Sequence, residues 1–160
     1  MRIHLVAIGR RMPPWISDGF SEYAQRLRSG VRLELVEVDT PRRGQNPDLS
    51  RIVREEGARL MQAVPSGAYR IALDQSGRSY DSESLAGQLE KWMTFGRDVA
   101  LIVGGPDGLS DEVLTSADQC WSLSPLTLAH PLVRIVIAEQ LYRAYAISRG
   151  MPYHRSGRVS

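Results

Sequence analysis

Apolar residues along this chain come in two alternating arrangements. Dense short bursts recur at 3–8, 69–73, 99–103 and 119–123, and 31–38 alternates through Val31, Leu33, Leu35, Val36 and Val38. Runs of that length predict strands, buried on both faces where the run is continuous. Between them the spacing shifts to threes and fours. Ile16, Phe20, Tyr23, Ala24 and Leu27 share one face of a helix predicted over 15–28. Further helices are expected over 48–63, from Asp81 or Ser82 to about 95, for roughly two turns after Ser110, and over 131–148. Pro65-Ser66-Gly67, Gly96 and Gly150 punctuate them. There is no repeat and no low-complexity stretch. The pattern predicts one α/β domain over 1–160, with a mostly parallel sheet flanked by helices.

In such sheets ligands sit beyond the carboxyl ends of the strands. Here those ends carry Gly9-Arg10-Arg11, Pro41-Arg42-Arg43-Gly44, Leu73-Asp74, Gly104-Gly105-Pro106-Asp107-Gly108 and the run Ser124, Pro125, Leu126, Thr127, Leu128, Ala129. Glycines at a strand end allow close ligand approach. A loop as apolar as 124–131 needs a cover, its own core or a ligand, because buried loop backbone needs partners. The 131–148 helix is apolar on two sides, through Val133, Val136, Ile137, Leu141 and Ala144, and through Ile135, Ala138, Tyr142 and Tyr145. A helix apolar nearly all round is covered on several sides, and a second subunit is the expected cover. Glu139 and Arg143 share the remaining polar strip at i,i+4, which a plain helix ion pair also explains.

Composition narrows this picture only slightly. The chain has 160 residues, 42% apolar and 24% charged, ordinary for a globular protein. No apolar run approaches the roughly 20 residues of a membrane span, and Met1 leads directly into strand-like sequence, so a cytoplasmic location is expected. Cys120 is the only cysteine and reads as a small buried apolar residue beside Trp121. Net charge is +2, and Lys91 is the only lysine among 20 basic residues. Arginine suits phosphate and base stacking, although genomic codon bias accounts for the excess equally well. Neither common phosphate loop is present, no Gly-x-Ser-x-Gly elbow occurs, and His4, His130 and His154 lack metal-triad spacing, so no metal is expected. Chemistry alone suggests a nucleotide-like ligand at the glycine turn.

Three stretches then carry a resemblance. They are Val103-Gly104-Gly105-Pro106-Asp107-Gly108-Leu109, Trp121-Ser122-Leu123-Ser124 with Leu126-Thr127-Leu128, and His130-Pro131-Leu132-Val133-Arg134 followed by Glu139-Gln140-Leu141-Tyr142-Arg143-Ala144 and Pro152-Tyr153-His154. Together they resemble the RlmH family, bacterial 23S rRNA pseudouridine N3-methyltransferases of the SPOUT class, over essentially the whole chain. The resemblance implies a trefoil knot in the C-terminal part, a homodimer, S-adenosylmethionine as cofactor and 23S rRNA within the assembled ribosome as substrate. It places the cofactor against Leu73, Gly105, Ser124, Pro125, Leu126, Thr127, Leu128 and Ala129.

For the chemistry, His154 is the expected group to take the N3 proton, though a solvated tail histidine fits its position too. Tyr153 is expected to stack on the target base, and Arg143 to hold a phosphate or the deprotonated base. His130 reads as structural. Arg10, Arg11, Arg42 and Arg43 are the expected RNA contacts, and the cofactor pocket of one subunit is expected to face these arginines or the Tyr153-His154 tail of the other. A valine at Gly105 is expected to fill ligand space. Two other classes fit the residues without the resemblance: a non-catalytic RNA-binding module and a flavodoxin-like nucleotide-binding protein.

Overall fold

The computed structural model describes residues 1–155; the tail 156–160, to which the sequence assigns no role, lies outside the described residues. Five strands form one sheet in the order β2-β1-β4-β3-β5, with all neighbours parallel. They are β1 (Arg2–Ile8), β2 (Arg32–Val38), β3 (Tyr69–Ser79), β4 (Val99–Val103) and β5 (Gln119–Ser122). β4 lies in the middle and is buried at all five positions, as a parallel strand covered on both faces must be.

The two faces separate by strand alternation. Ile3, Leu5, Ala7, Leu101 and Val103 pack with Phe20, Leu85, Leu89, Ile137 and Leu141 on the side of α1 (Pro14–Ala24), α3 (Ser82–Met93) and α5 (His130–Ser148). Val6, Ile8, Ala100 and Ile102 pack with Leu60 and Val113 beneath α2 (Leu49–Ala63) and α4 (Asp111–Ser116). Three N-caps act as their residue types require: Asp48 accepts from Arg51 N at 3.2 Å, Asp81 from Ser84 N at 2.7 Å and Ser110 from Val113 N at 3.3 Å.

Four expectations change. The first helix stops at Ala24, because Arg26 and Leu27 bond back three residues and tighten the chain into a turn. β3 does not end at Leu73: both Leu73 and Arg78 pair with Trp121, so 74–77 loops out and the ladder then resumes. Cys120 is half-buried rather than core, with burial pushing its thiol up against a hydrogen bond from Ser76 that lowers it. The several apolar sides of α5 are covered largely within one chain, since α5 packs against both α1 and α3. At Gly19 the α1 backbone comes so close that a Cβ would lie 2.8 Å from Ile135 Cδ1. Apolar excess on α5 is therefore not in itself a sign of a second subunit.

Candidate active site

β3, β4 and β5 end around a cavity of about 580 Å³. Its walls are the glycine turn after β4, the loop after β5, the 74–77 loop, and His130 and Val133 from the start of α5. The turn is held by a Gly108 N–H bond to Gly105 O at 3.1 Å, with Gly108 at φ +84°. Gly104 must lack a side chain because a Cβ there would lie 2.6 Å from Gly108 O. In the opposite wall Ser124 Oγ accepts from Leu126 N at 2.9 Å. Leu73, Gly105, Ser124, Leu126, Thr127 and Leu128 line the cavity. Pro125 and Ala129 do not; both are exposed, and the Ala129 carbonyl begins α5 by accepting from Leu132 N at 2.9 Å. Leu126 is 72% exposed, so the loop's apolar content lies open at the cavity rather than in its own core.

Gly105 also has a close neighbour on the side away from the cavity. A Cβ there would sit 3.1 Å from both carboxylate oxygens of Glu56 and 3.4 Å from Ile8 Cγ2, behind the turn. A side chain there would press on a buried carboxylate.

A polar layer behind the turn went unnoticed in the sequence. Glu56 is 1% exposed; its Oε2 accepts from Thr40 Oγ1 at 2.7 Å, while Oε1 has no partner among the described residues. Arg134, also 1% exposed, donates to Glu37 Oε2 at 2.7 Å, Gly9 O at 2.7 Å and Ile8 O at 3.3 Å. It thereby ties the first turns of α5 to the end of β1. The available signal was a charge within an apolar helical run, which is seldom buried unless paired. Burial, and next the Arg134 guanidinium, hold the His130 imidazole below its usual range, with Glu56 pulling the other way. His130 is thus neutral at pH 7.

Arg143, Tyr153 and His154 come together, but away from the cavity. Glu139 Oε1 accepts from Arg143 Nε at 3.0 Å, Arg143 Nη2 at 2.6 Å and the Tyr153 hydroxyl at 3.0 Å. The Arg143 guanidinium also lies 4.7 Å from the Tyr153 ring centre, and Tyr142 meets that ring edge-on at 4.7 Å. Burial first, then the bond to Glu139, push the Tyr153 phenol up to about 12, so it stays protonated and donates. Arg143 Nη1 is 3.1 Å from His154 Nδ1. Since arginine only donates, Nδ1 must accept, leaving the proton on Nε2, 3.7 Å from Glu83 Oε1. None of these residues lines the cavity. Arg143 is thirteen residues along α5 from His130, about 20 Å at 1.5 Å per residue.

Of the four arginines, Arg10 pairs with Asp39 at 2.7 Å and Arg43 with Asp107 of the glycine turn at 2.6 Å. Arg11, held at φ +58°, and Arg42 are exposed and form no ion pair among the described residues. Among those residues no His, Cys, Asp and Glu cluster is suited to a metal, and no helix is long and apolar enough to cross a membrane.

The family described as Predicted SPOUT methyltransferase matches residues 1–154. Two relatives carry the name Ribosomal RNA large subunit methyltransferase H. One, from Thioalkalivibrio sulfidiphilus, is 52% identical over 97% of this chain and 99% of its own. The other, from Hahella chejuensis, is 49% identical over the same shares. Among solved structures a probable methyltransferase from Bordetella pertussis Tohama I shares the fold at TM-score 0.55 and 16% identity, covering 89% of this chain and 93% of its own. The glycine turn, the loop after β5 and the match across nearly every residue lead to one conclusion: this chain belongs to the SPOUT methyltransferase family.

Proposed function

We propose that this protein methylates N3 of a pseudouridine in 23S rRNA on the assembled ribosome, using S-adenosylmethionine. In this reading it acts as a homodimer, with the C-terminal part threaded as a trefoil knot. The observation that carries the cofactor is the chemistry of the cavity wall. Leu73, Leu126 and Leu128 supply apolar surface for an adenine, and the strand-end turns supply backbone donors and acceptors for its edge. Among the described residues no lysine or arginine lines the wall, so a phosphorylated cofactor, as in a flavodoxin-like protein, finds no counter-charge from them. The names of the two half-identical relatives support large-subunit rRNA as the acceptor.

S-adenosylmethionine supplies a methyl group activated by a sulfonium. The protein's own part is orientation and proton handling. Arg143, held by Glu139, is placed to turn its guanidinium toward a phosphate or a deprotonated base. That movement frees His154 Nδ1, whose lone pair it otherwise occupies, to receive the N3 proton. Tyr153 remains neutral and offers a ring to a base once the Arg143 stack opens.

Along α5, Arg143 lies ten residues beyond Val133, the last of its residues on the cavity wall, about 15 Å at 1.5 Å per residue, and in this reading one chain does not serve both ends of a methyl transfer. A two-fold that brings the end of one α5 to the start of the other closes the gap. Exposed Trp15, Leu126 and Leu132, all at the carboxyl edge of the sheet, supply apolar surface for that contact. With net charge +2 and two of the four loop arginines already paired, most of the binding surface comes from a large structured substrate.

Calorimetric titration with S-adenosylmethionine should show one site per chain, and sedimentation at micromolar concentration should show a dimer. In a strain lacking the protein, one pseudouridine of 23S rRNA should lose its N3 methyl, and purified protein should restore it on ribosomes faster than on naked rRNA. Absence of donor binding, or RNA binding without it, would reduce the protein to an RNA-binding module.

A further inference from the structure

Among the described residues the cavity wall carries a single full charge. Among them Asp74 is its only carboxylate, neither lysine nor arginine lines it, and its one histidine, His130, is held neutral. Asp74 owes its place to the interruption of β3. Because Leu73 and Arg78 both pair with Trp121, 74–77 leaves the ladder and returns. Gly77 lets it return flat against β5: a Cβ there would lie 2.7 Å from backbone atoms of Cys120 and Trp121.

Two contacts then fix the loop. Asp74 Oδ2 accepts from Ser76 N at 3.0 Å and also from Ser76 Oγ, closing a tight turn. Gln75 Nε2 donates to Thr127 Oγ1 at 3.1 Å, joining the turn to the facing wall. Both Asp74 bonds end on Oδ2, so Oδ1 keeps its accepting capacity. An interrupted strand, a glycine with no room for a side chain and a latch across the cavity thus hold one carboxylate on an otherwise neutral wall.

We infer that Asp74 is a specificity-determining residue that favours the cationic methyl donor over the demethylated product, an inference that rests on S-adenosylmethionine being the cofactor. The two ligands differ by one methyl group and one formal charge at sulfur; adenine, ribose, ammonium and carboxylate are common to both. A fixed carboxylate on a partly dehydrated wall favours a nearby cation, and neutral walls are indifferent to the difference. The same charge that draws the donor in gives no added hold on the product, so spent cofactor leaves the cavity more readily.

The test is calorimetric titration of the wild type, Asp74→Asn and Asp74→Glu with S-adenosylmethionine and, separately, S-adenosylhomocysteine. Asparagine keeps an oxygen for Ser76 and removes only the charge. Asp74→Asn should lose about tenfold in donor affinity, the effect of a partly screened ion pair, while product affinity stays within about twofold. Asp74→Glu should keep most of the donor preference, and added salt should erode that preference in the wild type but not in Asp74→Asn. Equal losses for both ligands would overturn the inference and assign Asp74 to a group common to them, such as a ribose hydroxyl. No loss for either would overturn it as well. If the wild type bound neither ligand, the cofactor reading itself would fall. Unchanged thermal unfolding of the variants shows that the affinities report the cavity and not the fold.

Discussion

Around Arg143 a single carboxylate oxygen of Glu139 gathers two guanidinium bonds and a phenol, with two tyrosine rings packed alongside. Around the cavity the walls are turns, their side-chain bonds are few, and Leu126 lies largely in solvent. One region is assembled on a rigid helix before any ligand arrives; the other is a set of strand-end loops open to one. Packing on a helix holds groups together without a ligand, whereas a cavity that must take in one ligand and release another needs an open wall. On the proposed function, neither region is sufficient alone.

The sharpest way to break this division is subunit complementation. Thr127→Trp should fill the cavity and Arg143→Ala should dismantle the cluster, each leaving a folded, inactive homodimer. Mixed by subunit exchange, they should regain roughly a quarter of the wild-type sites, the statistical share for a two-fold dimer with one intact composite site per heterodimer. A mixture as inactive as its parents would place both halves of the site in the same chain.

Glu139→Gln comes next. It removes the charge that collects Arg143 and Tyr153, so the methylation rate should fall by about tenfold or more, some 1.4 kcal/mol of barrier. Donor affinity by calorimetry should not change, since Glu139 is off the cavity wall. A matching loss of donor binding would merge the two regions.

Arg11→Ala and Arg42→Ala, at the unpaired loop arginines, should weaken RNA binding and lower the slope of log affinity against log salt by about one per lost phosphate contact. Arg10→Ala should do less, because Asp39 already neutralises that side chain. Filter binding across a salt series measures both.

Gly105→Ala tests the layer behind the cavity. The added methyl meets Glu56 at 3.1 Å and should cost about 1–3 kcal/mol of stability, as overpacking does. Combined with Glu56→Ala the cost should be smaller by about 1 kcal/mol, a coupling that thermal or urea unfolding resolves. Strict additivity would return Gly105 to the role of making room for a ligand.

The smallest effect is a pH dependence confined to the cluster. The Tyr153 phenol is raised from 10.0 to about 12 in the folded chain. A raised folded value contributes stability that is complete below the unfolded value and lost as pH climbs through the folded one. Stability should therefore decline between about pH 10 and 12, and Tyr153→Phe should flatten part of that slope in urea titrations at stepped pH.

Local pattern alone determined a good part of this protein. The five strands, the cap at Ser110, the helix starts near Asp48 and at Asp81 or Ser82, and the parallel sheet with ligand loops on one edge were all legible, because strand periodicity, capping and turn chemistry act over a few residues. The motifs of the two loops carried the family for the same reason. What only the tertiary structure decided depends on partners distant along the chain. Arg134 reaches Ile8 O across 126 residues, Glu56 from α2 lies close behind Gly105, and the apolar sides of α5 are covered by α1 and α3. β3 resumes after Leu73 because Trp121 of β5 can pair twice. The spacing of Arg143 from the α5 residues on the cavity wall is likewise a length of rigid helix, which becomes informative only once the cavity has been placed at its start.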